Sequence, residues 1–219
     1  MCRFLLIKSK QPFDANELFL EFTKVCKNSL APDGDRQADG WGISWLDESN
    51  SWQIKKSLKP IWNDGASFKI PKSRTFTAHA RSASFPNQKG IIDYNQPYTN
   101  GEYSFLFNGA LFGVKFDREV AGKIGAQKIW TLLQEELKHS AVNKALENVR
   151  ALLEKHSTQI TGMNIALASK KNITALCRYQ QSADYFTLHY HDGDIKIISS
   201  EKLPSYDFTP MKNSEIIQL

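Results

Sequence analysis

Two helical stretches stand back to back in the middle of the chain, IGAQKIWTLLQEELK at 124–138 and AVNKALENVRALLEKH at 141–156, with strand-like runs on both sides. A parallel doubly wound sheet needs strands and helices in strict alternation, and this order does not supply it. Before the pair come CRFLLIKS, a helical stretch within DANELFLEFTKVCKNS, and then WGISWLD, WQIKKSL, RTFTAHARS and EYSFLFNG. After it come MNIALASK, ITALCRY, YFTLHYH, IKIISS and EIIQL. Short apolar or alternating runs bounded by turn residues read as strands. The pattern predicts an α+β fold with two antiparallel sheets and helices outside them. In the first helix, Leu18, Phe22 and Val25 recur at helical spacing, and Asp14 stands three residues before Glu17 as in a capping box. Cys26, at its end, reads as a small core residue, as does Cys177. Lys171-Asn172 and Asp192-Gly193 read as hairpin turns, the second of type I′. No repeat, low-complexity segment or composition shift divides residues 1–219, so a single domain is expected.

Charge and cysteine usage narrow the setting. The net charge of +5 comes from 28 basic and 23 acidic residues, and the lysines are scattered. No basic tract with interleaved aromatics argues for nucleic acid, and none is expected as a partner. The five tryptophans, Trp41, Trp45, Trp52, Trp62 and Trp130, form no base-stacking pattern. Cys2, Cys26 and Cys177 are too few and too widely spaced for a disulfide framework or a zinc site, which suits a reducing compartment. No apolar run approaches the ~20 residues that span a bilayer, and the first residues are too short an apolar stretch for a signal peptide. A cytoplasmic protein without membrane attachment is the expectation, needing no cofactor and no metal.

The chemistry starts at the second residue. Removal of Met1 leaves Cys2 with a thiol and a free α-amine. An amine of pKa ~8 accepts the proton of a thiol of pKa ~8.5, so base and nucleophile share one residue. The protonated amine then donates to a departing amine or ammonia. Such a nucleophile needs an oxyanion hole, and FNGA at 107–110 offers one at a strand end. There the Asn108 side-chain amide is a donor and Gly109 lets backbone approach the substrate, although taken alone these residues read better as a plain Asn-Gly turn. Arg81, in TAHARSAS, is a candidate anchor for a carboxylate.

MCRFLL, RQADGWGISW, TAHARSAS, NQPY and FLFNGAL, in that order, resemble the class II glutamine amidotransferases. The compact branch of ergothioneine synthesis and glutathione γ-glutamyl degradation is the most similar, and ISSEKLPSYDFTPMKNSEIIQL resembles its closing segment. The resemblance implies an N-terminal-nucleophile hydrolase with a four-layer αββα sandwich and a mature chain of 2–219. It implies Cys2 as nucleophile, Asn108 and Gly109 as oxyanion hole, and Arg81 on the α-carboxylate of a γ-glutamyl amide. Arg36, Asp39 and Gly40, with Trp41 and Gly42, match the loop that orders the N-terminus. Ser84 and Trp41 are expected to border the pocket, and Asn95, Gln96 and Pro97 match an Asn-x-His-Pro element with Gln96 in the histidine's place. His79, two before Arg81, is expected to support the site by hydrogen bonds. Thioester chemistry would release ammonia or an amine, with a separate synthetase or peptidase as the candidate partner.

Two positions depart from the family pattern. Phe107 stands where the family has histidine before Asn-Gly. KIGAQKIW stands where it has Asp-Ser/Thr-Glu, whose aspartate pairs with the substrate ammonium, so Gly125 or Ala126 occupies that place and Gln127 replaces the glutamate. Asp117 and Glu119 are the substitutes offered by the preceding loop. The departure keeps two alternatives open: a non-catalytic binding relative, and an N-terminal-cysteine amidase for a substrate other than glutamine. In HYHDGD, residues His189, His191, Asp192 and Asp194 read as a solvated strand end, not a metal site.

Overall fold

The computed structural model describes residues 1–29, 31, 32, 34 and 36–219. Their strands are β1 Arg3–Phe13, β2 Trp41–Leu46, β3 Trp52–Ser57, β4 Ser73–Ala80, β5 Tyr98–Thr99, β6 Tyr103–Phe112, β7 Gln159–Ser169, β8 Ile173–Cys177, β9 His189–Asp192, β10 Ile195–Ser199, β11 Thr209–Pro210 and β12 Glu215–Gln218. The helices are α1 Asn16–Asn28, α2 Ile61–Asp64, α3 Gly125–Leu137, α4 Val142–His156 and α5 Ala183–Phe186. The strands form a seven-stranded sheet in the order β11-β9-β10-β1-β4-β2-β3 and a five-stranded sheet in the order β12-β8-β7-β6-β5. The pairings between them are antiparallel, as expected.

Side-chain alternation along β1 explains the layering. Leu5 and Ile7 point one way, into a core with Phe19 and Phe22 of α1 and Phe76 and Ala78 of β4. Phe4 and Leu6 point the other way, against Leu106, Ala166 and Ile173 of the second sheet. The far face of that sheet carries Phe105, Phe107, Ile165 and Leu167, covered by Trp130 and Leu133 of α3 and Leu146 and Val149 of α4. Phe105 stacks on Trp130 with centroids 5.1 Å apart, a contact worth about 0.5–1.5 kcal/mol beyond its area. The result is helix, sheet, sheet, helix, the four-layer αββα sandwich.

Several local expectations change. Ala15, not Asp14, is the N-cap of α1, and the Asp14 carboxylate instead accepts the Asn16 N–H (2.9 Å). Asn108-Gly109 is neither a turn nor a strand end, since β6 runs on to Phe112 beside β7, with a shift of register only after Ala110. YFTLHYH divides, because Tyr185 and Phe186 close the short α5 and the strand begins at His189. The β7–β8 hairpin forms, but the Ser169 N–H bonds to the Asn172 carbonyl, so its turn residues are Lys170-Lys171, one position before the expected Lys171-Asn172. The β9–β10 hairpin forms, but Gly193 lacks positive φ and the register pairs Asp192 with Lys196, so the turn is not type I′. Among the described residues, no helix is long and apolar enough to cross a membrane.

Candidate active site

Cys2 stands at the head of β1. Arg3 pairs with Ala80, so the strand register carries Cys2 alongside Arg81, at the mouth of the gap between the sheets. The Cys2 N–H donates to Asn108 Oδ1 (3.2 Å), and its thiol donates to the Ser82 carbonyl (3.6 Å). A second group of residues grips the Met1–Cys2 peptide. The Tyr185 hydroxyl lies 2.9 Å from the Met1 carbonyl and 3.0 Å from the Cys2 carbonyl. Gln37, fully buried, donates its amide to the Met1 carbonyl and the Tyr185 oxygen, both at 3.2 Å. Tyr185 is held in turn by Arg3, whose guanidinium lies 3.7 Å from the ring centroid and donates to the Tyr185 carbonyl (2.8 Å). Arg3 also meets the Ser200 carbonyl and the Glu201 carboxylate, so its buried charge is paired.

Asn108 is fully buried, and its side-chain NH₂ has no hydrogen-bond partner among the described residues. The next donor along β6 follows from the register. Met163, opposite Gly109, gives its N–H to the Arg178 carbonyl on the other side of β7. The Gly109–Met163 pair is therefore the non-hydrogen-bonded kind, and the Gly109 N–H faces away from β7. On that same side the Gln96 amide brackets Phe107, accepting its N–H (2.6 Å) and donating to its carbonyl (3.3 Å). Gln96 thus does the work of an edge strand just before the Asn108-Gly109 pair. Phe107 itself turns its ring into the core beneath α3 and α4. A Cβ at Gly109 would lie 2.0 Å from the Gly162 carbonyl, so the packing against β7 itself requires the bare backbone.

Arg81 is 4% exposed. Its Nη2 donates to the Gln88 carbonyl (3.0 Å), and its Nη1 has no partner among the described residues. The Asp39-Gly40 turn fixes this residue more than it fixes the N-terminus. The Asp39 N–H donates to the Arg81 carbonyl (2.9 Å), and the Arg81 N–H donates to the Gly40 carbonyl (2.8 Å). The Asp39 carboxylate accepts the Ala83 N–H (2.8 Å) and pairs with Lys89 (3.2 Å). Gly40 has φ +109, and a Cβ would lie 2.2 Å from the Asn95 amide nitrogen, so no other residue fits. Arg36 is exposed and donates to the Lys27 carbonyl (3.4 Å); Gln37 beside it is the residue that meets Met1.

Three expected pocket residues sit differently. Trp41 points to the opposite face of its sheet, against Phe19, with its indole N–H bonded to Asp64 (2.6 Å), and does not border the pocket. Ser84 is exposed on the loop after β4. His79 is fully buried between the sheets opposite Phe4 and Gly42. Neither ring nitrogen has a close hydrogen-bond partner among the described residues, and the Phe107 carbonyl is the backbone group that acts on the ring. Burial, then the Arg81 charge, pushes its pKa down to about 3, with the nearby Phe107 carbonyl pulling the other way. His79 is a neutral imidazole at working pH.

The first turn of α3 carries Gly125, Ala126 and Gln127 and no acid. The Gln127 side chain is engaged with the Lys123 N–H and the Asp93 carbonyl. Asp117 and Glu119 are exposed, and Arg118 between them pairs with Glu135 near the far end of α3. In the HYHDGD stretch, His191 packs on Tyr206 and Asp192 pairs with Lys196. Among the described residues no cluster of three His, Cys, Asp or Glu gathers as a metal site. Cys26 and Cys177 are buried core residues, and burial raises both thiol pKa values, Cys177 to about 11.

Sequence reasoning brought Cys2, Arg81, Asn108 and Gly109 together. It passed over Tyr185, which carries no motif, and gave no role to Gln37 of RQADGWGISW or to Gln96 of the NQP element. The geometry can deliver a thiolate to a carbonyl while an amide N–H₂ and a backbone N–H receive its oxygen.

No family model matches the sequence, and no curated protein matches it. Solved structures share its architecture. A glutamine aminotransferase class-II domain protein from Silicibacter pomeroyi superposes with TM-score 0.64 at 16% identity, over 99% of this chain and 94% of its own. A predicted glutamine amidotransferase from Pseudomonas aeruginosa gives 0.55 at 14% identity, over 99% and 96%. The glutamine phosphoribosylpyrophosphate amidotransferase of B. subtilis gives 0.68 at 13% identity, over 99% of this chain and 47% of that enzyme. The likeness covers the whole chain, and the fold is that of class II glutamine amidotransferase domains.

Proposed function

We propose that this protein is an N-terminal cysteine amidohydrolase of the class II glutamine amidotransferase type, acting on a γ-glutamyl-type amide. The observation that carries the reading is Asn108. One atom of its buried amide accepts from the Cys2 nitrogen (3.2 Å), and the other is an unpartnered donor beside the nucleophile. Most buried side-chain polar atoms are hydrogen-bonded, so an unpartnered donor at this place marks a group available to a ligand.

The mechanism starts with removal of Met1, because a Cys2 nitrogen tied up in a peptide bond has no lone pair for a proton. The freed amine takes the thiol proton, and Sγ attacks the amide carbonyl, forming a C–S bond. The oxyanion is received by the Asn108 NH₂ and the Gly109 N–H, donors worth about 3–4 kcal/mol each in related sites. Collapse breaks the C–N bond, and the Cys2 ammonium protonates the departing ammonia or amine. Water then adds to the thioester with the Cys2 amine as base, and the acid leaves. Arg81 holds the substrate carboxylate through its unpartnered Nη1. Ammonia or amine released in this way is free for a separate synthetase or peptidase partner.

Intact mass before and after treatment with a diazo-ketone analogue of glutamine tests the reading. Loss of Met1 and a single adduct on Cys2 is the expected result. Protein isolated from its native cell with Met1 retained would overturn catalysis in favour of a ligand-binding role.

A further inference from the structure

Two cations, Lys56 and Arg81, stand near the nucleophile without an ion-pair partner within 4 Å among the described residues. Lys56, on the edge strand β3, lies beside Gly42, where an ideal Cβ would come 3.1 Å from the lysine Cγ. Its ammonium reaches over the Tyr98 ring, 5.2 Å from the centroid. The Tyr98 hydroxyl donates to the Tyr94 carbonyl (3.0 Å), and the Tyr94 ring lies 5.8 Å from the Arg81 guanidinium. Lys56 and Arg81 therefore flank one pair of tyrosines. Cys2 interacts electrostatically with Tyr98, and both cations act on His79 behind it.

The carboxylates nearby are already occupied or turned to solvent. Asp39 is bonded to the Ala83 N–H and Lys89, and Asp64 is bonded to Trp41 and Ser57. Asp93 is exposed and interacts with Lys56 itself. The first turn of α3 carries no acid. Among the described residues, a substrate ammonium entering here meets two cations and finds no unengaged, inward-facing carboxylate, and like charges so placed are costly.

Resting on the amidohydrolase reading above, we infer that the substrate of this site is a dicarboxylic monoamide whose acyl part lacks an α-ammonium group, its anionic end shared by Arg81 and Lys56. The bond changes are those of the thioester route, with water consumed and ammonia or an amine released. Burial lowers the pKa of Lys56 and Asp93 opposes that, a balance that an incoming carboxylate shifts further toward the charged form.

The experiment compares kcat/KM for glutamine and for glutaramate, its des-amino analogue, in the Met1-processed enzyme and in Lys56→Glu. At least tenfold preference for glutaramate is expected, with Lys56→Glu shifting the ratio at least tenfold toward glutamine. Lys56→Gln serves as the second variant should the reversal disturb folding, and it is expected to raise the KM for glutaramate tenfold. Equal or better cleavage of glutamine by the unaltered enzyme overturns the inference and leaves the hydrolase reading standing. A preference for glutaramate that neither variant moves removes Lys56 from the site and overturns it too. Failure to form a thioester on Cys2 with either compound overturns the hydrolase reading, and the inference with it.

Discussion

Replacing Asn108 by Asp separates the two tasks of one side chain. Aspartate has nearly the same shape and keeps an oxygen for the Cys2 nitrogen, which now lies 3.2 Å from Oδ1. It removes the NH₂ that stands unpartnered beside the nucleophile. Loss of one oxyanion donor lowers kcat by about 10²–10³-fold, equivalent to about 2.7–4 kcal/mol. A carboxylate in place of the donor repels the developing oxyanion, so the loss falls at or beyond the upper end of that range. Substrate binding rests on Arg81 and is expected to change less than threefold. The assay is single-turnover acylation, with the Cys2 thioester quantified by mass spectrometry after acid quench. Thermal unfolding of the same samples controls for the fold. Acylation within threefold of the unaltered rate, in a variant that melts normally, would refute the assignment of Asn108 to the oxyanion hole.

In the processed enzyme Tyr185→Phe removes the hydroxyl that meets the Cys2 carbonyl, so stability is expected to fall by only about 1 kcal/mol while kcat drops about tenfold with KM unchanged. Chemical denaturation and steady-state kinetics read the two effects separately. Gly109→Ala places a methyl 2.0 Å from the Gly162 carbonyl and forces β6 from β7, with an expected loss of about 1–3 kcal/mol or more in urea unfolding. His79 has a folded pKa of about 3 against an ordinary 6.5, so the unfolded chain binds more protons between these values. Its contribution is therefore fully present above pH 6.5 and lost as pH falls toward 3. His79→Gln is expected to flatten the fall of unfolding free energy with acid across that window, and an unchanged slope would contradict a buried neutral imidazole.

The helices and most strands were legible because periodicity is a local property. Leu18 and Phe22 mark the inner face of α1 whatever the rest of the chain does, and the alternation of Phe4, Leu5, Leu6 and Ile7 already requires a strand covered on both sides. Cys2, Arg81 and Asn108 were legible because their chemistry is rare and mutually complementary. Tertiary structure decided what depends on register and on which face of a sheet a residue meets. A shift of one residue moves every side chain to the other face, and the face assigned to Trp41 places it under α1, away from the pocket. For Gly109, the closeness of the Gly162 carbonyl on β7 adds a packing requirement that the sequence does not show. Gln37, Tyr185 and Gln96 act through contacts with Met1, Cys2 and Phe107 that only strand pairing and layer packing bring within reach. Residue types and local spacing thus specify the elements and the reactive groups, while the closing of two sheets over one another specifies which polar side chains hold them.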